Sequence, residues 1–251
     1  MTTSRIGLGL LAITVCCGLS KAAIQAQAPI GVQEPAWAPD GRRIAVSYLD
    51  RIWTMTPEGR QGKAVTAGGD GAIEREPAFA PDGVRLAYAA ERGDGFDIFV
   101  VTLKSGVATG APVAVTTLPG DERWPSWTAD GRLVFAHRDA RAAGRGADPG
   151  LQWDLFVVRP VEGSNGWQAP LALTETADSE TYPRVSPDGA KVAFVSERDA
   201  EDDLDLWWMP VPPAARLPRT SPACGTRARQ NGTTLPAMSS TRLSPLTISG
   251  I

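Results

Sequence analysis

The stretch Glu34-Pro35-Ala36-Trp37-Ala38-Pro39-Asp40-Gly41 constrains this chain most, because close copies recur three times further on. They are Glu76-Pro77-Ala78-Phe79-Ala80-Pro81-Asp82-Gly83, Trp124-Pro125-Ser126-Trp127-Thr128-Ala129-Asp130-Gly131 and Tyr182-Pro183-Arg184-Val185-Ser186-Pro187-Asp188-Gly189. The Asp-Gly pairs begin at 40, 82, 130 and 188, spacings of 42, 48 and 58 residues. Periods of this size with strand-like content point to the blades of a propeller.

Each Pro-Asp-Gly has a local reason to turn. Proline presets φ near the turn value, Asp can accept from its own backbone two residues on, and Gly takes positive φ without a steric cost. After each turn come two short apolar runs, such as Leu86-Ala87-Tyr88 and Ile98-Phe99-Val100-Val101, or Leu133-Val134-Phe135 and Leu155-Phe156-Val157-Val158. Runs this short, bounded by turn residues, read as buried strands of a hairpin. An isolated hairpin is marginal in water, so stacked neighbours must cover it. Weaker runs ending in Thr66, Thr116 and Thr174 supply an outer strand. The expected fold is therefore all-β, a β-propeller of four recognisable four-stranded blades, either complete or part of a ring of six or more. The last blade needs an outer strand, for which Ile30-Gly31-Val32 and Leu246-Thr247-Ile248 are the candidates.

The Pro-x-aromatic-x-Pro-Asp-Gly element, followed by an apolar strand and an Asp-[Ile/Leu]-[Phe/Trp] strand, resembles the TolB-type β-propeller repeat over about residues 33–211. Ala129 departs from it in the third copy, and Arg51 stands where Asp97, Asp154 and Asp205 stand in the others. TolB itself carries a sizeable mixed domain ahead of its propeller, for which there is no room between the leader and Glu34. Asp50-Arg51-Ile52-Trp53 and Ser179-Glu180-Thr181-Tyr182-Pro183-Arg184 look most like the propeller that precedes an amidohydrolase domain. Such propellers also stand ahead of oligopeptidase-like enzymes.

Three segments are expected. Residues 1–28 have the layout of a secretory signal: Arg5, an apolar run from Ile6 to Val15 too short to span a bilayer, and small residues up to Ala28. Residues 29–211 form the propeller. Residues 212–251 carry scattered Pro, Ser, Thr and Arg with no Asp or Glu, a composition that reads as a disordered or aberrant tail, with the chain truncated or out of frame after the fourth repeat. Export places the protein in the periplasm or outside the cell. Of the three cysteines, Cys16 and Cys17 lie in the leader and only Cys224 follows, so the exported part has no cysteine pair for a disulfide.

Charge and residue inventory restrict the chemistry. A net charge of −3 gives no basic face for phosphate contacts, so no nucleic-acid partner is expected. His137 is the only histidine, which is too few for a histidine zinc site, and there is no Gly-x-Ser-x-Gly elbow. No catalytic residue, metal or cofactor is expected, and His137 is read as structural. Glu74, Glu122 and Glu180 each stand three residues before a repeat proline, which would set carboxylates around one mouth of the channel, either as a ligand site or as a solvated rim paired to Arg75 and Arg123. Trp124 and Tyr182, beside the innermost strands, join them as channel-mouth candidates, with packing between blades as the competing role. The function this implies is a non-catalytic exported scaffold for a protein or peptide. The alternative is the accessory propeller of an amidohydrolase or oligopeptidase-like hydrolase whose catalytic domain lies elsewhere.

Overall fold

The computed structural model describes residues 31–68, 72–93, 95–139, 152–176, 178–197, 204–213 and 241–242. The proposed leader and most of the proposed tail, Cys224 included, lie outside the described residues. Four antiparallel sheets follow one another along the chain as four propeller blades. The first is β1 (Gln33–Trp37), β2 (Ile44–Tyr48), β3 (Arg51–Met55) and β4 (Lys63–Ala64). The second is β5 (Glu74–Phe79), β6 (Arg85–Arg92) and β7 (Gly95–Lys104), with β8 (Val107–Ala108) on the far end of β7 and β9 (Val113–Ala114) as its outer strand. The third is β10 (Asp121–Trp127), β11 (Leu133–Arg138), β12 (Asp154–Val158) and β13 (Leu171–Ala172). The fourth is β14 (Glu180–Val185), β15 (Lys191–Ser196), β16 (Asp205–Pro210) and β17 (Thr241–Arg242). The outer strand of this last blade is thus neither of the two expected segments: Trp207 pairs with Arg242 and Trp208 with Thr241. A two-residue pairing carries no apolar pattern by which it could be read.

The turn between the first two strands of every blade has the expected chemistry. Gly41, Gly83, Gly131 and Gly189 have φ of 67–82°, and each donates its N–H to the carbonyl three residues before it, at 2.8–3.0 Å. Asp40, Asp82 and Asp188 accept the N–H two residues on at 2.9–3.0 Å. Partial burial pushes the Asp82 and Asp130 carboxyls up, but the Val84 amide and Arg85 hold Asp82, and Arg132 and the Thr128 hydroxyl hold Asp130, below the ordinary range. At the other end of the first three blades, Thr66, Thr116 and Thr174 hydroxyls accept the N–H of Ile52, Ile98 and Leu155 at 2.7–3.1 Å, pinning the short outer strand to the third.

Alternation along the strands gives each blade two apolar faces. The forward face of one blade meets the rear face of the next in three buried clusters. Ala45, Ile52 and Val65 pack on Leu86, Tyr88 and Val101. Ala87, Ile98 and Val100 pack on Leu133, Phe135 and Val158. Val134, Leu155 and Val157 pack on Val192, Phe194 and Met209. No cluster among the described residues joins the fourth blade to the first.

Tyr88 sits fully buried in the first of these joints, and its hydroxyl has no hydrogen-bond partner. Burial, reinforced by the charge of Glu74, pushes its phenol well above the ordinary value of 10. The neutral phenol is therefore favoured by the folded state, and its stabilisation is present in full below that ordinary value and lost as pH rises above it. Tyr88→Phe is expected to unfold in urea at the same or slightly higher denaturant at neutral pH, by up to about 1 kcal/mol, since an unsatisfied polar group is removed. The same variant flattens the alkaline fall in stability. An unchanged alkaline fall would exclude Tyr88 as its source.

Candidate site at the inner ends of the blades

In all four blades the residue just before the repeat proline leaves the pleat. Glu34, Glu76, Trp124 and Tyr182 have φ of 53–60°, and the pairing of each innermost strand with its neighbour shifts register across this residue and the proline. A proline offers no N–H to the ladder, and an extra residue in one strand makes a bulge that turns its side chain away from the sheet. In the first three blades it turns toward the next blade.

Glu34 Oε2 accepts the N–H of Glu76 at 2.7 Å and the Ser47 hydroxyl at 2.9 Å. Glu76 Oε2 repeats the contact, accepting the N–H of Trp124 at 2.7 Å. Its Oε1 takes the Arg123 guanidinium, with Nε at 2.8 Å and the terminal nitrogen also in contact. Burial pushes the Glu76 carboxyl above its ordinary value, and the Arg123 charge and the Trp124 amide pull it back only in part. In the third blade the station holds Trp124, and the link becomes aromatic: its ring lies 4.3 Å from that of Tyr182 and 4.9 Å from that of Trp153. Tyr182, the same station in the fourth blade, is 52% exposed.

The three glutamates singled out from the sequence lie one layer below this row, and all are buried. Glu74 meets Arg92 at 3.4 Å. Glu122 Oε1 lies 2.7 Å from His137 Nδ1, whose ring stands edge-on to Phe156. Glu180 accepts the hydroxyls of Thr174 at 2.8 Å and Thr176 at 2.5 Å. Arg75 and Arg123 are engaged elsewhere, Arg75 with Gln33 and Asp50 of the first blade and Arg123 with Glu76. Glu74, Glu122 and Glu180 are thus brought to equivalent places in successive blades, whereas Trp124 and Tyr182 are brought into one stack. Among the described residues, no three His, Cys, Asp or Glu side chains gather as a metal site, and no helix is long and apolar enough to cross a membrane.

Glu34 and Glu76 were not singled out from the sequence. The signal was the pair of Glu-Pro steps at one station of the repeat, against Trp-Pro and Tyr-Pro in the other two.

The blade topology, the turn and the packed innermost strands are those of a β-propeller. The fold is similar to that of TolB from Acinetobacter baumannii, with 19% sequence identity and a TM-score of 0.55 over 72% of this chain and 41% of that one. This chain therefore spans less than half of that protein's length. It is also similar in fold to a Mycobacterium tuberculosis puromycin-hydrolyzing peptidase (19% identity, TM-score 0.50, 71% of this chain and 29% of that one). A Kuenenia stuttgartiensis hydrazine synthase shares it at 12% identity and a TM-score of 0.51, over 71% of this chain and 31% of that one. No protein-family model matches this sequence, and no curated protein matches it.

Proposed function

We propose that this chain is a non-catalytic scaffold, exported to the periplasm or beyond, that binds a protein or peptide through the free face of its fourth blade. The observation that carries the reading is Tyr182. Its counterparts Glu34, Glu76 and Trp124 are each engaged by the following blade, whereas Tyr182 is stacked from behind on Trp124 and half exposed in front. Pre-stacked aromatic rings with a polar handle contribute large contact area at little entropic cost. Arg123, lying 5.2 Å from the centre of the Trp124 ring, adds a guanidinium beside the stack.

A photoreactive benzoylphenylalanine at position 182, introduced into the full chain in cells, is expected to yield protein adducts. The same group at position 107, exposed on the outer rim of the second blade, is expected to yield none. Equal yields from the two positions would contradict the reading.

The likeness to the puromycin-hydrolyzing peptidase, of which this chain covers 29%, favours a second reading. There the propeller is the accessory part of an oligopeptidase-like hydrolase, or of an amidohydrolase as the wording of the repeats suggests, and the same free face meets the catalytic domain.

A further inference from the structure

We propose that the partner of the fourth blade is the first blade of a second copy of this chain. The inference rests on the protein-binding role of the free face and names what occupies it.

The joint between the second and third blades shows what such a contact needs. Trp127 of the third blade donates its indole N–H to the Ala78 carbonyl of the second at 3.0 Å. The Arg85 guanidinium, also from the second blade, lies over its ring at 4.8 Å, and Trp127 is 7% exposed. Trp37 occupies the same station of the repeat in the first blade. It is 59% exposed, and no hydrogen bond or cation over its ring is found among the described residues. The stations of Ala78 and Arg85 are filled in the fourth blade by Arg184 and Lys191, so that blade places a carbonyl and a cation at the stations the second blade uses for Trp127, and Lys191 Nζ lies 4.3 Å from the Trp208 ring of its own blade until a neighbour's Trp37 competes for it.

The apolar faces match in the same way. Ile52, Ile98 and Leu155 occupy one forward-facing station and are fully buried by the next blade, while Leu206, the fourth member, is 46% exposed. The rear face of the first blade offers Ile44, Trp53 and Met55, partly buried, at the stations that Leu86, Phe99 and Val101 fill at the first joint. The first and fourth of the described blades thus carry the complementary halves of a joint that these four blades already make three times. A head-to-tail contact of this kind forms a closed assembly when its rotation closes. With two copies, each fourth blade covers the other copy's first blade, and two identical seams make a twofold ring.

The full chain, measured by light scattering during size exclusion, is expected to be a dimer. Leu206→Arg and Trp37→Arg each place a charge in both seams and are expected to be monomers with unchanged circular dichroism, since both residues are exposed. Mixed, the two variants are expected to form a heterodimer, because Leu206→Arg keeps a sound first blade, Trp37→Arg keeps a sound fourth, and one seam is restored. A monomeric parent chain, a dimer indifferent to both substitutions, or a mixture that stays monomeric would each overturn the proposal. A monomeric parent that still gives adducts from position 182 to some other protein overturns the second copy alone. Failure to give any adducts overturns the protein-binding role with it.

Discussion

Replacing Glu76 with alanine is expected to destabilise the protein by about 3–5 kcal/mol, the range for removing one partner from a buried ion pair. The carboxylate is almost wholly buried and joins two blades through two different groups, the Arg123 guanidinium and the Trp124 N–H. Alanine leaves a mostly buried cation and an amide without their acceptor. Glu76→Gln keeps one neutral carbonyl oxygen, which serves either the Trp124 N–H or Arg123 while the NH₂ faces the other, so a smaller loss, about 1–3 kcal/mol, is expected from the charged hydrogen bond alone. Urea unfolding of the three proteins checks this ordering. If Glu76→Ala were no worse than Glu58→Ala, which alters an exposed carboxylate, the inter-blade role of Glu76 would be wrong.

Phe135→Ala is expected to cost a similar amount, about 3–5 kcal/mol, for a different reason. Phe135 is fully buried between the second and third blades and stacks on Phe156 with ring centres 6.0 Å apart. Its removal leaves a cavity walled by two sheets whose spacing is held by other contacts, so collapse is only partial. Leu206→Ala, at a face covered in the other joints and uncovered in the fourth blade, is expected to change monomer stability by less than about 0.5 kcal/mol. Chemical unfolding at concentrations where the chain is monomeric separates the two; comparable losses would mean that the fourth blade's free face is already buried.

These two residues differ in how readily the sequence reveals them. Phe135 lies in a short apolar run after an Asp-Gly turn, and all eight such runs lie in strands. The turns were legible because every contribution to them is local: the fixed φ of proline, the reach of Asp and the freedom of Gly. The threonines closing the outer runs were visible as a pattern, but their hydrogen bonds to Ile52, Ile98 and Leu155 span 14–19 residues and needed the blade to be built.

Glu76 was harder to read because its role depends on a bulge. Alternation along Glu74–Phe79 does not indicate that the residue before Pro77 takes positive φ, and the groups it binds stand 47 and 48 residues away. A shorter separation, 15 residues, obscured Glu122, whose partner His137 looked isolated in the sequence yet pairs with it across β10 and β11. Trp124 and Tyr182 were singled out in the sequence as channel-mouth residues, while their stacking on each other became visible only once the third and fourth blades were packed. The outer strand at Thr241–Arg242 escaped because the 29 residues between Val211 and Thr241 carry no blade pattern.

The central claim is that protein contacts fall on the end faces of the row of blades rather than on the rim. A photo-crosslinking scan of the exposed large apolar positions tests it most directly, with benzoylphenylalanine placed in turn at positions 37, 182 and 206 on the end faces and at 84, 107 and 161 on the hairpin rims. Adducts from the first three and none from the last three are the predicted result. Adducts concentrated at 84, 107 and 161, or spread evenly over all six, would contradict it.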